Sequence, residues 1–303
     1  GTALMLANYV SGPDFNLKYK KSIWTSLGII GVPAIVVLMI PDVGSLLVFI
    51  AFFIALFREG MSGWVFGVGL IFASVFLVAL AIDALYVVIA IVLITAVALF
   101  LNSHKIHWNV LSVAAIIGGV GILSGLAFGA PTILEKLPKH QRERIEVLYK
   151  GERAFRDTSG YNLLYSKTAI GSGGFFGKGY REGSVTQGKF VPEQSTDYIF
   201  CTVGEEWGFF GSAMLVILYS VFIGRIYYLS EKQKSAFNRV FGYSFASILL
   251  MHFSINLGMV MGLFPTVGIP LPFFSYGGSS LLAFSMMTFI FFKLNYTDRN
   301  SLV

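Results

Sequence analysis

A single cysteine, Cys201, stands in a chain of 303 residues, so no internal disulfide can form and no thiolate cluster can hold a metal. Charge is scarce as well. Asp, Glu, Lys and Arg make up 13% of the chain, against about 25% in soluble domains. With 55% hydrophobic residues and a mean hydropathy of +0.74, an ordinary soluble globular domain is excluded. The first ten residues, GTALMLANYV, carry no initiator methionine, no basic n-region and no cleavage site. They read as the tail of a helix, and the expectation is a chain truncated at its start. No serine-nucleophile elbow and no internal repeat stands out. The four histidines form no metal-ligand pair: His104 and His107 share a short basic loop, His140 lies in a charged stretch, and His252 sits in an apolar span. An interhelical hydrogen bond is the expected role of His252 and of Asn256, one turn on.

What the chain has is long apolar runs. Residues 22–40, 62–82, 109–130 and 275–292 reach or approach the roughly 20 residues that cross a bilayer as helix. Shorter or flanked runs at 43–57, 84–101, 197–229 and 240–264 complete the pattern, with Pro41-Asp42 as a turn and Pro131 expected to end its span. The fold class is therefore all-α: a polytopic transmembrane helical bundle, one membrane domain over residues 1–303, with about eight to nine spans. A large loop occupies residues 131–196, and its first half (LEKLPKHQRERIEVLYKGERAFRD) reads as an amphipathic helix at the membrane surface.

Net charge is +6, but most basic residues flank spans, so topology explains them and nucleic acid is not an expected partner. With Lys18, Lys20 and Lys21 in the cytoplasm, alternation puts Arg58, Lys105, Lys232, Lys234, Arg239, Lys293 and Arg299 inside. Asp42, Asp83 and residues 265–274 fall outside. The 131–196 loop also falls outside despite its charge, which the rule permits for loops longer than about 60 residues. A basic external loop invites an anionic ligand.

The chain is organised around residues 160–211, GYNLLYSKTAIGSGGFFGKGYREGSVTQGKFVPEQSTDYIFCTVGEEWGFFG. Asp197 lies where an extended, proline-marked segment becomes a membrane helix. Two readings hold together there: a helix N-cap, and a carboxylate at the membrane boundary suited to accepting a proton. Glu205 lies roughly 12 Å further along the helix axis, too far for the close carboxylate pair of a retaining glycosidase. Pairing with a lysine or arginine is the first expectation for Glu205 and Glu206. The glycine run 171–179 lacks the Gly-Lys-Ser/Thr ending of a P-loop. It reads as a flexible turn or, with Lys167, Lys178, Arg181 and Lys189 around it, as a backbone-and-cation cradle for pyrophosphate. Arg142 and Arg144 join that cradle or contact lipid headgroups.

Three stretches, GYNLLYSKTAIGSGGFFGKG, FVPEQSTDYIFCTVGEEWGFFG and NLGMVMGLFPTVGIPLPFFSYGGSS, resemble the SEDS family (shape, elongation, division and sporulation) of bacterial membrane proteins. HQRERI and PDVGSLLVF fit it too, so the resemblance runs from about residue 41 to the C-terminus. Pro-Leu-Pro-Phe-Phe within VGIPLPFFSYGG is similar to the elongation branch; the division branch more often shows a Thr-Leu-Pro-Phe version.

The resemblance implies a peptidoglycan glycosyltransferase of the bacterial inner membrane that polymerises lipid II outside the cytoplasm. It implies as partners a class B penicillin-binding protein, a transpeptidase, and elongation-complex membrane proteins. Asp197 matches the family's essential carboxylate and is the expected general base. Arg142, Arg144, Lys167 and Lys178 are candidates for the leaving pyrophosphate, and Ser172, Glu193, Thr196 and Glu205 complete the substrate-binding set. No metal ligand and no certain cofactor is assigned; a divalent cation, Mg or Mn, would assist the cations. A lipid II flippase and a non-enzymatic scaffold for the transpeptidase are the alternatives.

Overall fold

The computed structural model describes residues 1–40, 42–101, 103 and 109–300, with the side chains of 299 and 300 excepted. Pro41, His104, Lys105, His107 and the Arg299 side chain lie outside the described residues. The helices, in order, are α1 (Thr2–Val10), α2 (Lys20–Met39), α3 (Val43–Val48), α4 (Ala51–Arg58), α5 (Trp64–Ala81), α6 (Ala84–Leu101) and α7 (Val110–Lys136). They continue as α8 (Lys139–Lys150), α9 (Tyr161–Ser172), α10 (Ser184–Gln187), α11 (Ile199–Glu231), α12 (Ala236–Met261) and α13 (Gly278–Asn300). Among the described residues there is no strand, and seven helices are long and apolar enough to cross a membrane. The chain is a multi-pass, all-α membrane protein.

Two expectations need correction. The 43–57 run is not one helix: Phe49 and Ile50 form a turn, their amides bonding to Leu46 and Leu47, three residues back, and split it into α3 and α4. Pro131 does not end its helix but lies inside α7, which runs on to Lys136. A proline in a helix removes one backbone bond, whereas ending the helix there would strand several groups in an apolar medium.

The chain forms two compact units, residues 1–61 with 156–303, and residues 62–155. In the second unit α5, α6 and α7 pack on one another through Ala79, Val87, Ile91, Ala127 and Ala130. Their outward side chains, such as Leu70, Ile94 and Ile117, are exposed and apolar, as a lipid-facing surface requires. The expected amphipathic helix is α8, with Val147 buried.

In the first unit α12 is the axis. It packs against α1, α4, α9, α11 and α13, and small side chains at Gly242, Ser244, Ala246 and Ser247 let those helices approach closely. Phe241, Phe245, Leu249, Met259 and Val260 fill the core. At one end of this unit two bidentate pairs join the helices: Arg58 binds Glu231 at 2.7 and 2.5 Å, and Arg239 binds Glu59 at 2.8 and 3.0 Å.

Candidate functional site

Helix α11 is interrupted at Gly208, whose backbone (φ 63°, ψ −158°) is open to glycine alone among ordinary residues. In a continuous helix the amides of Phe209 and Phe210 would bond to the carbonyls of Glu205 and Glu206. The break frees all four groups, and the glycine run takes them up. Lys178 N donates to Glu205 O and Gly179 N to Glu206 O, both at 3.0 Å. Phe209 N and Phe210 N donate to Gly174 O and Phe175 O at 2.9 and 3.0 Å. A side chain on Gly177 would strike the Glu206 carbonyl, which explains a glycine there.

This narrows the expected backbone cradle for pyrophosphate by three amides. The amides of Gly177, Lys178 and Gly179 are spent on the carbonyls of Gly173, Glu205 and Glu206. A donor that already closes a backbone bond in a low-dielectric site has nothing left for a ligand.

Glu205 is fully buried. Its carboxylate accepts from Lys178 Nζ at 2.7 Å and from the amides of Val185 and Thr186 at 2.9 and 2.8 Å; the Ser172 and Ser184 hydroxyls lie at 3.3 and 3.5 Å. The two amides belong to the first turn of α10, where backbone donors lack helical partners. Three expected site residues, Ser172, Lys178 and Glu205, thus meet in one network that ties the glycine run to α11. Glu206 is also buried, 3.5 Å from Gln187 Nε2.

Asp197 stands one residue before the N-cap of α11, which is Tyr198, so it is not the cap the sequence suggests. Asn256 of α12 donates from Nδ2 to the Asp197 carbonyl at 2.8 Å and to the Ile269 carbonyl at 2.6 Å. Ser275 Oγ donates to Thr196 O at 2.6 Å and accepts from Leu271 N at 2.7 Å, while Tyr276 N donates to Ser195 O at 2.8 Å. Residues 265–276 are in this way bound to the 195–197 turn.

The Asp197 carboxylate lies against Gly268 (φ 71°): a Cβ there would stand 3.1 Å from Oδ2. Glu193 and Thr196 shape the turn that presents it, with Thr196 Oγ1 3.2 Å from Glu193 Oε2 and Tyr198 N donating to Glu193 O at 3.1 Å. His252 Nδ1 meets the Pro270 carbonyl at 3.2 Å, so its partner is this loop and not a second helix. Asp42 caps α3 by accepting from Ser45 N at 2.9 Å, and α3 reaches the same loop, because a side chain on Gly44 would strike Val267 and Ile269. Three stretches distant in sequence, at 42–45, 193–198 and 265–276, therefore converge.

Lys167 on α9 approaches the C-terminal end of α12, its Nζ 2.9 Å from the place a Cβ of Gly262 would take. A cation is favoured at that end of a helix. Arg142 and Arg144 belong to the other unit, on α8. Arg144 is exposed, whereas Arg142 lies 3.9 Å from Glu146 and lines a cavity of about 320 Å³ with Pro131, Leu134, Glu146 and Tyr149. Burial pushes the Tyr149 phenol above its usual pKa, so it stays a neutral hydroxyl. Among the described residues no three His, Cys, Asp or Glu side chains group to hold a metal ion.

Sequence reasoning missed Gly208, Gly268 and Ser275 as positioning residues. The available signal was weak: Ser275 is one serine among many, and a glycine required for close approach reads like any turn glycine.

Residues 68–300 match the family described as cell cycle protein, FtsW/RodA/SpoVE, and the chain belongs to it. It is 41% identical over 143 residues to the peptidoglycan glycosyltransferase MrdB of Escherichia coli (strain K12), covering 47% of this chain and 38% of that one. It is 38% identical over 137 residues to the peptidoglycan glycosyltransferase RodA of Treponema pallidum (strain Nichols), covering 45% of this chain and 32% of that one. The matched segment thus spans less than half of either relative. In fold, the chain aligns at a TM-score of 0.64 and 22% identity with a chain of the structure described as "Structural coordination of polymerization and crosslinking by a peptidoglycan synthase complex". That alignment covers 98% of this chain and 68% of the other.

Proposed function

We propose that this chain carries the catalytic region of a peptidoglycan glycosyltransferase that polymerises lipid II during cell elongation. The observation that carries the reading is the setting of Asp197: a half-buried carboxylate at the head of a membrane helix, its backbone held by Asn256 and its side chain against Gly268. Such a group is fixed in position yet open enough to meet a substrate from the membrane surface.

In the reaction, the GlcNAc 4-hydroxyl of one lipid II attacks the anomeric carbon of the MurNAc of another. The new C–O bond forms as the bond to the pyrophosphate oxygen breaks, the hydroxyl proton passes to Asp197, and the electron pair leaves with undecaprenyl pyrophosphate. Attack opposite the leaving group inverts the centre, turning an α-linked donor into a β-linked glycan. One base suffices, so the distance to Glu205 is no obstacle. Lys167, in the same unit as Asp197, stabilises the leaving charge. Lys178, held by Glu205, contributes what remains of its field. Any divalent cation would be held chiefly by the substrate's phosphates.

The chain sits in the cytoplasmic membrane with the Asp197 end outside. A class B penicillin-binding protein is the partner we assign, in keeping with the complex to which its fold neighbour belongs. The test is polymerisation of purified lipid II by the complete protein, with and without that partner, comparing wild type with Asp197→Ala on a glycan gel. Chains from wild type and none from the folded variant support the reading. No chains from either, partner present, would sink it in favour of lipid II transport or scaffolding.

A further inference from the structure

At the opposite end of the first unit, a cavity of about 260 Å³ lies between the ends of α11 and α13. Arg225, Tyr228, Lys232, Gln233, Asn295 and Asp298 line it. Arg225 and Lys232 flank one ring: the guanidinium carbon is 5.3 Å and the ammonium 4.1 Å from the Tyr228 centroid, and Lys232 also reaches the Tyr228 hydroxyl. Among the described residues neither cation has a carboxylate within ion-pair distance. Asp298 also lines the cavity and keeps its charge while its oxygens accept from Lys234 N at 3.0 Å, Ser235 N at 3.2 Å and Asn238 Nδ2 at 3.2 Å, so two cations face one carboxylate and the lining stays net positive.

Gln233 adds a second, independent observation. It is 5% exposed and donates from Nε2 to Asn295 at 2.7 Å, yet its buried Oε1 has no hydrogen-bond partner. A buried amide oxygen left unpaired is destabilising until a donor reaches it. Exchanging oxygen and nitrogen in both the Gln233 and Asn295 amides would leave a Gln233 donor unpaired instead, and a hydroxyl group answers either arrangement.

We propose that this cavity is a binding site for an anionic phospholipid headgroup bearing hydroxyls, of the phosphatidylglycerol type. The phosphodiester would lie between Arg225 and Lys232, and a glycerol hydroxyl would meet Gln233. The lipid source is favoured over a free phosphate ester because the half-exposed Tyr228 stands on the flank of a membrane-spanning helix, where tyrosine and basic residues mark the headgroup level. Arg225 is 17 residues beyond the break at Gly208, roughly 25 Å along the uninterrupted part of α11 and most of the hydrocarbon thickness of about 30 Å, and the alternation of spans puts it on the side opposite Asp197. The site therefore serves the other leaflet and is independent of the reaction proposed above.

The test uses the full-length protein in nanodiscs of mixed phosphatidylglycerol and phosphatidylcholine, released into native mass spectrometry. Wild type should retain phosphatidylglycerol over phosphatidylcholine. Arg225→Gln with Lys232→Gln should cut the retained lipid on the order of tenfold, while Lys234→Gln, outside the cavity, should not. Equal retention by the double variant overturns the proposal, as does displacement by free glycerol phosphate. On wild type alone, phosphatidylglycerol with a photoreactive headgroup should label residues 225–233 and 293–298. Label confined elsewhere overturns the site even if the double variant fails to fold.

Discussion

The side-chain amide of Asn256, fully buried in α12, donates 2.8 Å to the backbone carbonyl of Asp197 and 2.6 Å to that of Ile269. One amide nitrogen thus fixes the turn that carries the candidate base and the loop that lies beside it. Replacing Asn256 by Ala leaves both carbonyls without this donor. The expected result is a loss of about 1–3 kcal/mol for each carbonyl left unpaired, read as a lower thermal midpoint in detergent, together with a fall in polymerisation. Asn256→Asp removes the donor at nearly the same volume and should behave alike. Unchanged stability and activity in both variants would show that the bridge does not matter.

Asp197→Asn keeps the shape of the side chain and removes its capacity to take a proton. Polymerisation should fall by roughly 10²–10⁴-fold, the range of general-base contributions, with little change in the melting curve. A normal rate would eliminate the base role.

Lys178 and Glu205 form an ion pair at 2.7 Å in which the carboxylate is fully buried. Lys178→Met leaves that charge without its cation and should destabilise by about 3 kcal/mol. Adding Glu205→Gln should recover part of the loss. The coupling is measured by a double-mutant cycle on thermal unfolding, and strictly additive effects would contradict the paired arrangement.

Gly208 and Gly171 should respond in opposite ways to alanine. At Gly208 a side chain meets a left-handed backbone and the Phe175 carbonyl oxygen at 2.8 Å, so Gly208→Ala should cost more than about 2 kcal/mol. At Gly171, inside α9, a Cβ meets nothing within 4 Å, so Gly171→Ala should be neutral or stabilising by about 0.5–1 kcal/mol. Thermal unfolding of the two variants side by side checks this, and equal losses would refute the account of the break.

Much of the architecture is legible from composition alone. A run of some 20 apolar residues has few options in a bilayer except helix, so the expected span 84–101 coincides with α6, and 62–82 differs from α5 by a residue or two at each end. Pairing of Glu205 with a lysine was also foreseeable, since a carboxylate inside an apolar helix must find a partner. Its identity as Lys178 was not, because the two are 27 residues apart and joined by a loop.

Residue chemistry by itself, then, determined the membrane class, most of the helices and the stretch where polar groups gather. Tertiary structure alone decided how those groups are used. Glycines that read as either a flexible turn or an anion cradle replace a missing helical turn at Gly208, because the freed carbonyls of Glu205 and Glu206 had to be satisfied by some nearby backbone. Asp197, ambiguous as a cap, proved to be set against Gly268 and anchored by Asn256, contacts 59 or more residues apart in sequence. Hydropathy is a local property that survives in one dimension. Which donor meets which acceptor depends on approaches that only the packed helices define.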